Sequence, residues 1–149
     1  MHPVAAALPY IDEHSVTIAA SREVTWGLLQ RVIEATAPGT FARILGCADI
    51  AASGPRPFAE GSVIPGFHVV VAEDPVELVL AGRHHFSNYA LTFRLDDLGP
   101  SLSRLRAESR AEFPGTKGTI YRMLVIGTRV HVLATRRILT GVKRLAERR

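Results

Sequence analysis

The sequence predicts an α+β fold in which an antiparallel sheet is covered on one face by a long C-terminal helix. Apolar and polar residues alternate through four segments between residues 67 and 113, which is typical of strands with one buried face. The connections between these segments are so short that they favour antiparallel hairpins. Residues 119–149 contain no proline, and their apolar residues recur at spacings of three and four, which indicates an amphipathic helix.

The length and the cysteine content indicate a small domain from a reducing compartment. The chain has 149 residues, which predicts a single domain over 1–149. Its one cysteine, Cys47, excludes an intramolecular disulfide. The N-terminus has no basic region before its short apolar run, and no apolar run is long enough to span a membrane. These features predict a cytoplasmic protein.

Positive charge is concentrated at the C-terminus. Residues 117–149 contain nine basic residues and one acidic residue. Four of the basic residues recur every seven positions and should form one stripe along the helix: Arg122, Arg129, Arg136 and Lys143. Such a stripe is either a solvated helix face or a weak contact for an acidic surface. Few aromatic residues accompany it, so we expect no nucleic-acid partner.

The N-terminal half predicts one strand followed by two helices. Alternation indicates a strand within 10–20, and Ser21 is a good N-cap for a helix over 21–35. A break at 37–40 precedes a second short helix over 41–46. Residues 53–66 are rich in glycine and proline, which predicts a loop with at most a short edge strand.

The C-terminal half predicts four strands, over 67–73, 76–85, 89–96 and 102–113. In the last of them one face is uncharged and the other is charged, so the sheet should have one covered and one solvated face. The side of the helix opposite the basic stripe should pack on the covered face; it consists of Ile120, Leu124, Gly127, His131, Ala134, Ile138, Val142 and Leu145.

This order of elements resembles the helix-grip fold of the SRPBCC superfamily, which includes START-type lipid carriers, pollen-allergen-like proteins and polyketide cyclase-like proteins. The segments that carry the resemblance are SVTIAASREVTWGLL, HFSNYALTFRL and AEFPGTKGTIYRML. The resemblance implies a curved antiparallel sheet wrapped around a long C-terminal helix, with two short helices after the first strand. It also implies ligand binding between sheet and helix. The superfamily has no universal catalytic motif, so it assigns no catalytic residue.

Two histidines are predicted to face the space between sheet and helix. Alternation places His84 on the same face as Leu78 and Leu80, and His85 on the other. His131 lies about 180° around the helix from Arg122, so it should point at the sheet. The candidate ligand-binding residues are His84, Tyr89, His131, Ser109, Leu80, Leu91, Phe93, Leu105, Leu124 and Gly127.

Ordinary structural roles compete with each of these candidates. An inward histidine is most often a hydrogen-bonded core residue, and Cys47 has the small apolar neighbours of a buried structural thiol. A His84–His131 metal pair would lack a third ligand. No phosphate-binding glycine motif is present, so we expect neither a metal nor a cofactor.

Three functions therefore remain open. The first is binding of a small hydrophobic or amphipathic molecule, lipid-, polyketide- or isoprenoid-like, in a cavity between sheet and helix. The second is a cyclase or dehydratase in which His84 or His131 moves a proton while Tyr89 polarises a carbonyl. Against it, no inward acidic residue is evident, since Glu108 and Glu112 are predicted to face outward. The third is an interaction protein that uses the basic helix face. The ligand and the oligomeric state stay open.

Overall fold

The computed structural model describes residues 3–36, 46–115, 117, 119, 120, 122 and 130–148. Its helices and strands are, in chain order, α1 (Pro3–Ala6), β1 (Tyr10–Ile18), α2 (Arg22–Thr36), β2 (Val63–Ile64), β3 (Phe67–Glu73), β4 (Glu77–His84), β5 (Ser87–Gly99), β6 (Leu102–Glu112) and α3 (Val130–Glu147). The short helix predicted over 41–46 falls on residues of which only Gly46 is described, and Gly46 lies in a turn.

The six strands form one antiparallel sheet in the order β1-β6-β5-β4-β3-β2. Strands β2 to β6 are each paired with the next in the chain, as short hairpin connections require. The first strand pairs with the last one. Helices α2 and α3 pack against each other and against this sheet. The predicted helix-grip architecture, a curved antiparallel sheet that holds the C-terminal helix, is confirmed.

Helix α2 begins after Ser21, the N-cap residue that the sequence predicted. The backbone N–H of Val24 donates to Oγ of Ser21 at 3.2 Å, which satisfies one of the unpaired donors of the first turn. The buried residues Trp26, Leu29 and Ile33 recur every three or four positions and join the main core. This helix therefore covers the end of the concave face where Phe93 and Leu105 are fully buried.

The face that helix α3 presents to the sheet overlaps only in part with the predicted one: Val142 is fully buried and Ile138 packs against the core, as expected. Leu145 and Ala134, also predicted inward, are exposed, Leu145 by 41%, and Ile120, which lies before α3, is 56% exposed. The buried residues of α3 are Thr135, Leu139, Val142 and Ala146. Apolar residues occupy more than half of the helix circumference, so spacing alone allows several rotations. Packing decides between them, because Gly141 lets Val32 of α2 approach closely.

The outer, convex face of the sheet is not fully solvated. Val79 and Ala81, which alternation placed outward, are both buried. Helix α1, which the sequence did not predict, packs Ala5 against Val79 and Ala90. The carbonyl of Leu8, just after α1, accepts a hydrogen bond from Arg110 at 3.0 Å. Within the described parts of the chain, no helix is long and apolar enough to cross a membrane.

Candidate functional site

The concave face has a filled end and a half-buried end. Leu80, Phe93 and Leu105 are 0–1% exposed and belong to the core beneath the helices. Further along the same face, Tyr89 and Leu91 on β5 and Ser109 on β6 are only half-buried. Register places Leu91 opposite Ser109, so they are direct neighbours across the strands. This half-buried strip is the candidate functional site.

Tyr89 forms a fixed aromatic wall at one edge of the strip. Its hydroxyl donates to the carbonyl of Gly66 and lies 3.6 Å from Sγ of Cys47. Its ring packs edge-on to Phe67, with centroids 5.2 Å apart. The ring lies over Gly82, where a Cβ atom would be 2.6 Å from Cε2 of Tyr89. Glycine at position 82 is therefore what allows the tyrosine to reach Gly66.

His84 lies beside Tyr89, as alternation predicted, with ring centroids 5.4 Å apart. Its Nδ1 accepts the backbone N–H of Phe86 at 3.1 Å. Burial lowers the pKa of His84, and the neighbouring His85 lowers it further, so the neutral imidazole is favoured. His85 is exposed, in the two-residue turn rather than in the strand, and its ring lies against the backbone of Gly46.

A carboxylate with two histidines forms the opposite edge of the strip. Nε2 of His131 lies 2.9 Å from Oδ2 of Asp12, and Nε2 of His14 lies 3.1 Å from the same oxygen. Asp12 and His14 are two residues apart on β1 and therefore share a face. The side chain of His14 is only 21% exposed. The apparent lack of an inward acidic residue in the sequence was wrong, because Asp12 is one.

This cluster retains unused hydrogen-bonding capacity. Oδ1 of Asp12 and Nδ1 of His131 are buried, and neither finds a hydrogen-bond partner within the described residues. Leaving such an atom unsatisfied costs about 1–3 kcal/mol, and a polar group that reached these atoms after a shift of the surrounding side chains would relieve that cost. Ser109 is the cross-strand partner of Asp12 and adds a hydroxyl to this corner. No group of three residues suited to a metal ion occurs in the described segments.

The sequence predicted the residues of the strip as candidates, but only part of those at its rim. Leu124 and Gly127, both candidates, lie outside the described residues. The residues that sequence reasoning missed are Asp12, His14, Cys47, Gly66, Phe67 and Gly82. The signal for Asp12 and His14 was their alternation with Val16 and Ile18, which places all four on the concave face.

Glu108 is buried on the convex face, so it is not part of the strip. It pairs with Arg110 at 2.7 Å and with Arg94 at 3.4 Å. Glu112 is exposed and accepts a hydrogen bond from the side chain of Asn88 at 2.7 Å. The predicted outward direction of both carboxylates therefore agrees with the structure.

The predicted basic stripe is not one continuous surface. Arg136 and Arg122 are exposed, whereas Arg129 lies outside the described residues. Lys143 is half-buried, donates to the carbonyl of Thr17 at 2.8 Å and pairs with Glu147 at 2.7 Å. Lys143 lies only about 40° around the helix from the buried Leu139. Its side chain therefore ties α3 to β1.

Comparison with solved structures returns proteins of the same architecture. Norcoclaurine synthase from Thalictrum flavum, in complex with dopamine and hydroxybenzaldehyde, matches with a TM-score of 0.56 at 11% identity, over 97% of this chain and 91% of that one. The Zhui aromatase/cyclase from Streptomyces sp. R1128 matches with a TM-score of 0.54 at 17% identity, over 95% of each chain. A START superfamily protein from Mycobacterium smegmatis matches with a TM-score of 0.51 at 15% identity, over 93% and 98%.

These likenesses are consistent with the resemblance to the SRPBCC superfamily, and they establish the fold. No protein-family model and no curated protein matches the sequence. The chain is thus a helix-grip protein, of an architecture that serves both enzymes and START proteins. What the protein binds must therefore be inferred from the residues of its own concave face.

Proposed function

We propose that the protein binds a small amphipathic molecule on the half-buried strip of its concave face. The observation that carries this proposal is the strip itself, in which apolar Leu91 lies between Tyr89 and Ser109 and all three remain half-buried. An apolar surface with a few polar groups at its edges is the usual composition of a small-molecule site.

The two edges favour a ligand with an apolar ring and one oxygen function. Leu91, Phe67 and Tyr89 offer apolar surface, and its burial contributes about 25 cal/mol per Å². At the other edge, Ser109 and the Asp12–His131 pair offer a donor or an acceptor to a hydroxyl or carbonyl. The norcoclaurine synthase of this fold holds dopamine and hydroxybenzaldehyde, which supports ligands of this kind. Polyketide- and isoprenoid-like molecules share this chemistry, and lipids share its amphipathic character.

Native mass spectrometry of the purified protein first tests whether it retains a bound molecule. Binding is then measured by a fluorescence titration with 2-naphthol, an aromatic ring carrying one hydroxyl. Leu91→Trp fills the strip and should weaken binding at least about tenfold, since the displaced ring of 2-naphthol loses most of its apolar contact with the protein. The matched control is Leu98→Trp, at an exposed position on β5, which should bind like the parent. Equal affinity of parent and Leu91→Trp would contradict the proposal, as would a parent that neither retains an adduct nor binds 2-naphthol.

A second candidate function is acid–base catalysis in the same place, favoured by the Asp12–His131 pair. With Asp12 accepting from Nε2–H of His131 at 2.9 Å, Nδ1 carries the basic lone pair. That nitrogen is buried in the free protein; once the side chains over it move aside, it would take a proton from carbon next to a carbonyl, and the C–H electrons would pass to the oxygen as an enolate. Asp12 would stabilise the imidazolium. Tyr89 is less suited to polarise the carbonyl, because its hydroxyl hydrogen is bonded to Gly66.

This candidate function is tested by using NMR to follow the exchange of the α-hydrogens of 2-tetralone for deuterium in heavy water. The parent should accelerate exchange, and His131→Gln should reduce the rate by about 10²-fold or more, the usual contribution of a positioned base. Asp12→Asn should reduce it as well. The control pair is His68→Gln and Asp49→Asn, which disrupt a histidine–aspartate contact of 2.8 Å outside the strip. Exchange that is equally fast in parent and His131→Gln would rule out catalysis by His131.

A further inference from the structure

The outer surface of α3 carries a group of exposed arginines that the concave site does not use. They are Arg136, Arg137 and Arg144, and we call them the arginine face. Together with Leu133, Thr140 and Gly141 they line a surface groove of about 360 Å³. Arg137 lies about 160° around the helix from the buried Leu139, so the arginine face points away from the sheet.

The charges of the arginine face are not compensated within the part of the chain that the structure describes. None of its three guanidinium groups forms an ion pair or hydrogen bond within the described residues. Some arginines elsewhere on the surface do, since Arg106 bonds Asp96 at 2.9 Å and Arg56 bonds Glu34 at 2.7 Å. The one carboxylate of α3, Glu147, is already held by Lys143. The arginine face is therefore complementary to a surface of negative charge.

The exposed side chain of Leu133 favours a membrane as the negatively charged surface. Leu133 is 54% exposed and lies about 20° around the helix from Arg144 and 40° from Arg137. A nucleic acid offers little apolar surface to a leucine among arginines. The headgroup region of a bilayer accommodates both, because the arginines contact lipid phosphates while the leucine enters the acyl boundary.

We propose that the arginine face, with Leu133 at its N-terminal end, docks the protein on membranes that contain anionic phospholipids. The proposal rests on α3 alone and stands whether or not the concave strip binds a ligand. The docked surface lies opposite the side of α3 that faces the sheet, so docking leaves the packing of the fold unchanged.

Co-sedimentation with phospholipid vesicles tests the charge requirement. The full chain is mixed with vesicles of phosphatidylcholine, with or without about one quarter phosphatidylglycerol, at about 0.15 M salt. Binding should require phosphatidylglycerol, and Arg136→Glu with Arg137→Glu should weaken it at least about tenfold. The control is Arg83→Glu with Arg104→Glu, an equal charge change on the sheet. Binding that needs no anionic lipid, or that both double variants weaken equally, would overturn the proposal.

The leucine distinguishes a membrane from other polyanions. Leu133→Gln keeps every charge, and it should weaken vesicle binding about threefold or more because one apolar anchor is lost. Its retention on a heparin column should equal that of the parent. If Leu133→Gln binds vesicles as tightly as the parent, the arginine face is a general polyanion contact and the membrane assignment is wrong.

Discussion

At the scale of single residues, the candidate site depends on Gly82, which has no side chain. Gly82 sits under the ring of Tyr89, and a Cβ atom there would overlap the carbonyl oxygen of Gly66. The tyrosine hydroxyl uses that same carbonyl as its acceptor. The glycine thus allows the contacts that fix the aromatic wall of the strip.

Gly82→Ala should lower the free energy of unfolding by about 1–3 kcal/mol, the usual cost of overpacking. Gly27→Ala is the matched control, since nothing lies within 4 Å of a Cβ added there in the middle of α2. It should raise stability by up to about 1 kcal/mol, because alanine favours helix more than glycine does. Urea denaturation measures both changes. A Gly82→Ala protein as stable as the parent would show that Tyr89 can move away freely.

His84 should make stability depend on pH. Its folded pKa lies below the usual 6.5, so the unfolded chain binds the proton first as the pH falls. The stabilising contribution is complete above pH 6.5 and is lost progressively as the pH falls from 6.5 towards the folded pKa. His84→Gln should therefore lose less stability than the parent on acidification from pH 7. Parallel pH profiles in the two proteins would contradict the lowered pKa, which NMR titration of the His84 ring measures directly.

At the scale of elements, sequence reasoning located the strands and helices better than it oriented them. Alternation placed β3 at its observed bounds and β4 and β6 within one residue, because a sheet with one well-covered face repeats strictly every two residues. The orientation of helix α3 was only partly right, with Val142 inward but Ala134 and Leu145 exposed, since its apolar residues permit more than one rotation. Helix α1 was missed because four residues carry no periodicity.

The orientation of α3 has a direct stability test. Leu139→Ala removes a side chain that is 1% exposed and should cost about 2–5 kcal/mol. Leu145→Ala, at the position predicted to face inward but observed to be 41% exposed, should change stability by less than about 1 kcal/mol. Thermal and urea denaturation measure both variants. A larger loss for Leu145→Ala than for Leu139→Ala would favour the rotation predicted from the sequence.

At the scale of the whole molecule, long-range contacts bring together residues whose proximity could not be predicted from the sequence alone. Asp12 and His131 are 119 residues apart, and they meet because β1 lies beside α3. Neither residue carries a local signal for the other, so the pair was absent from the candidates although His131 was among them. Conversely, Leu80, Phe93 and Leu105 were candidates by alternation, but α2 and α3 bury them in the core.

The half-buried strip is the end of the concave face where a ligand would lie. Tyr89 and His84 lie at one edge, and Asp12, His14 and His131 lie at the other. Across the strip, the half-buried side chains Leu91 and Ser109 leave surface that the described residues do not cover. The central claim is that a small amphipathic molecule binds there and places its oxygen near Asp12.

The most direct measurement of this claim is an NMR titration of the histidine rings and leucine methyl groups with 2-naphthol. The account predicts saturable shifts for the rings of His131 and His14 and for the methyl groups of Leu91, with the ring of His68 and the methyl groups of Leu98 unchanged. Shifts confined to Leu133 on the outer side of α3, or no shifts at all, would contradict it.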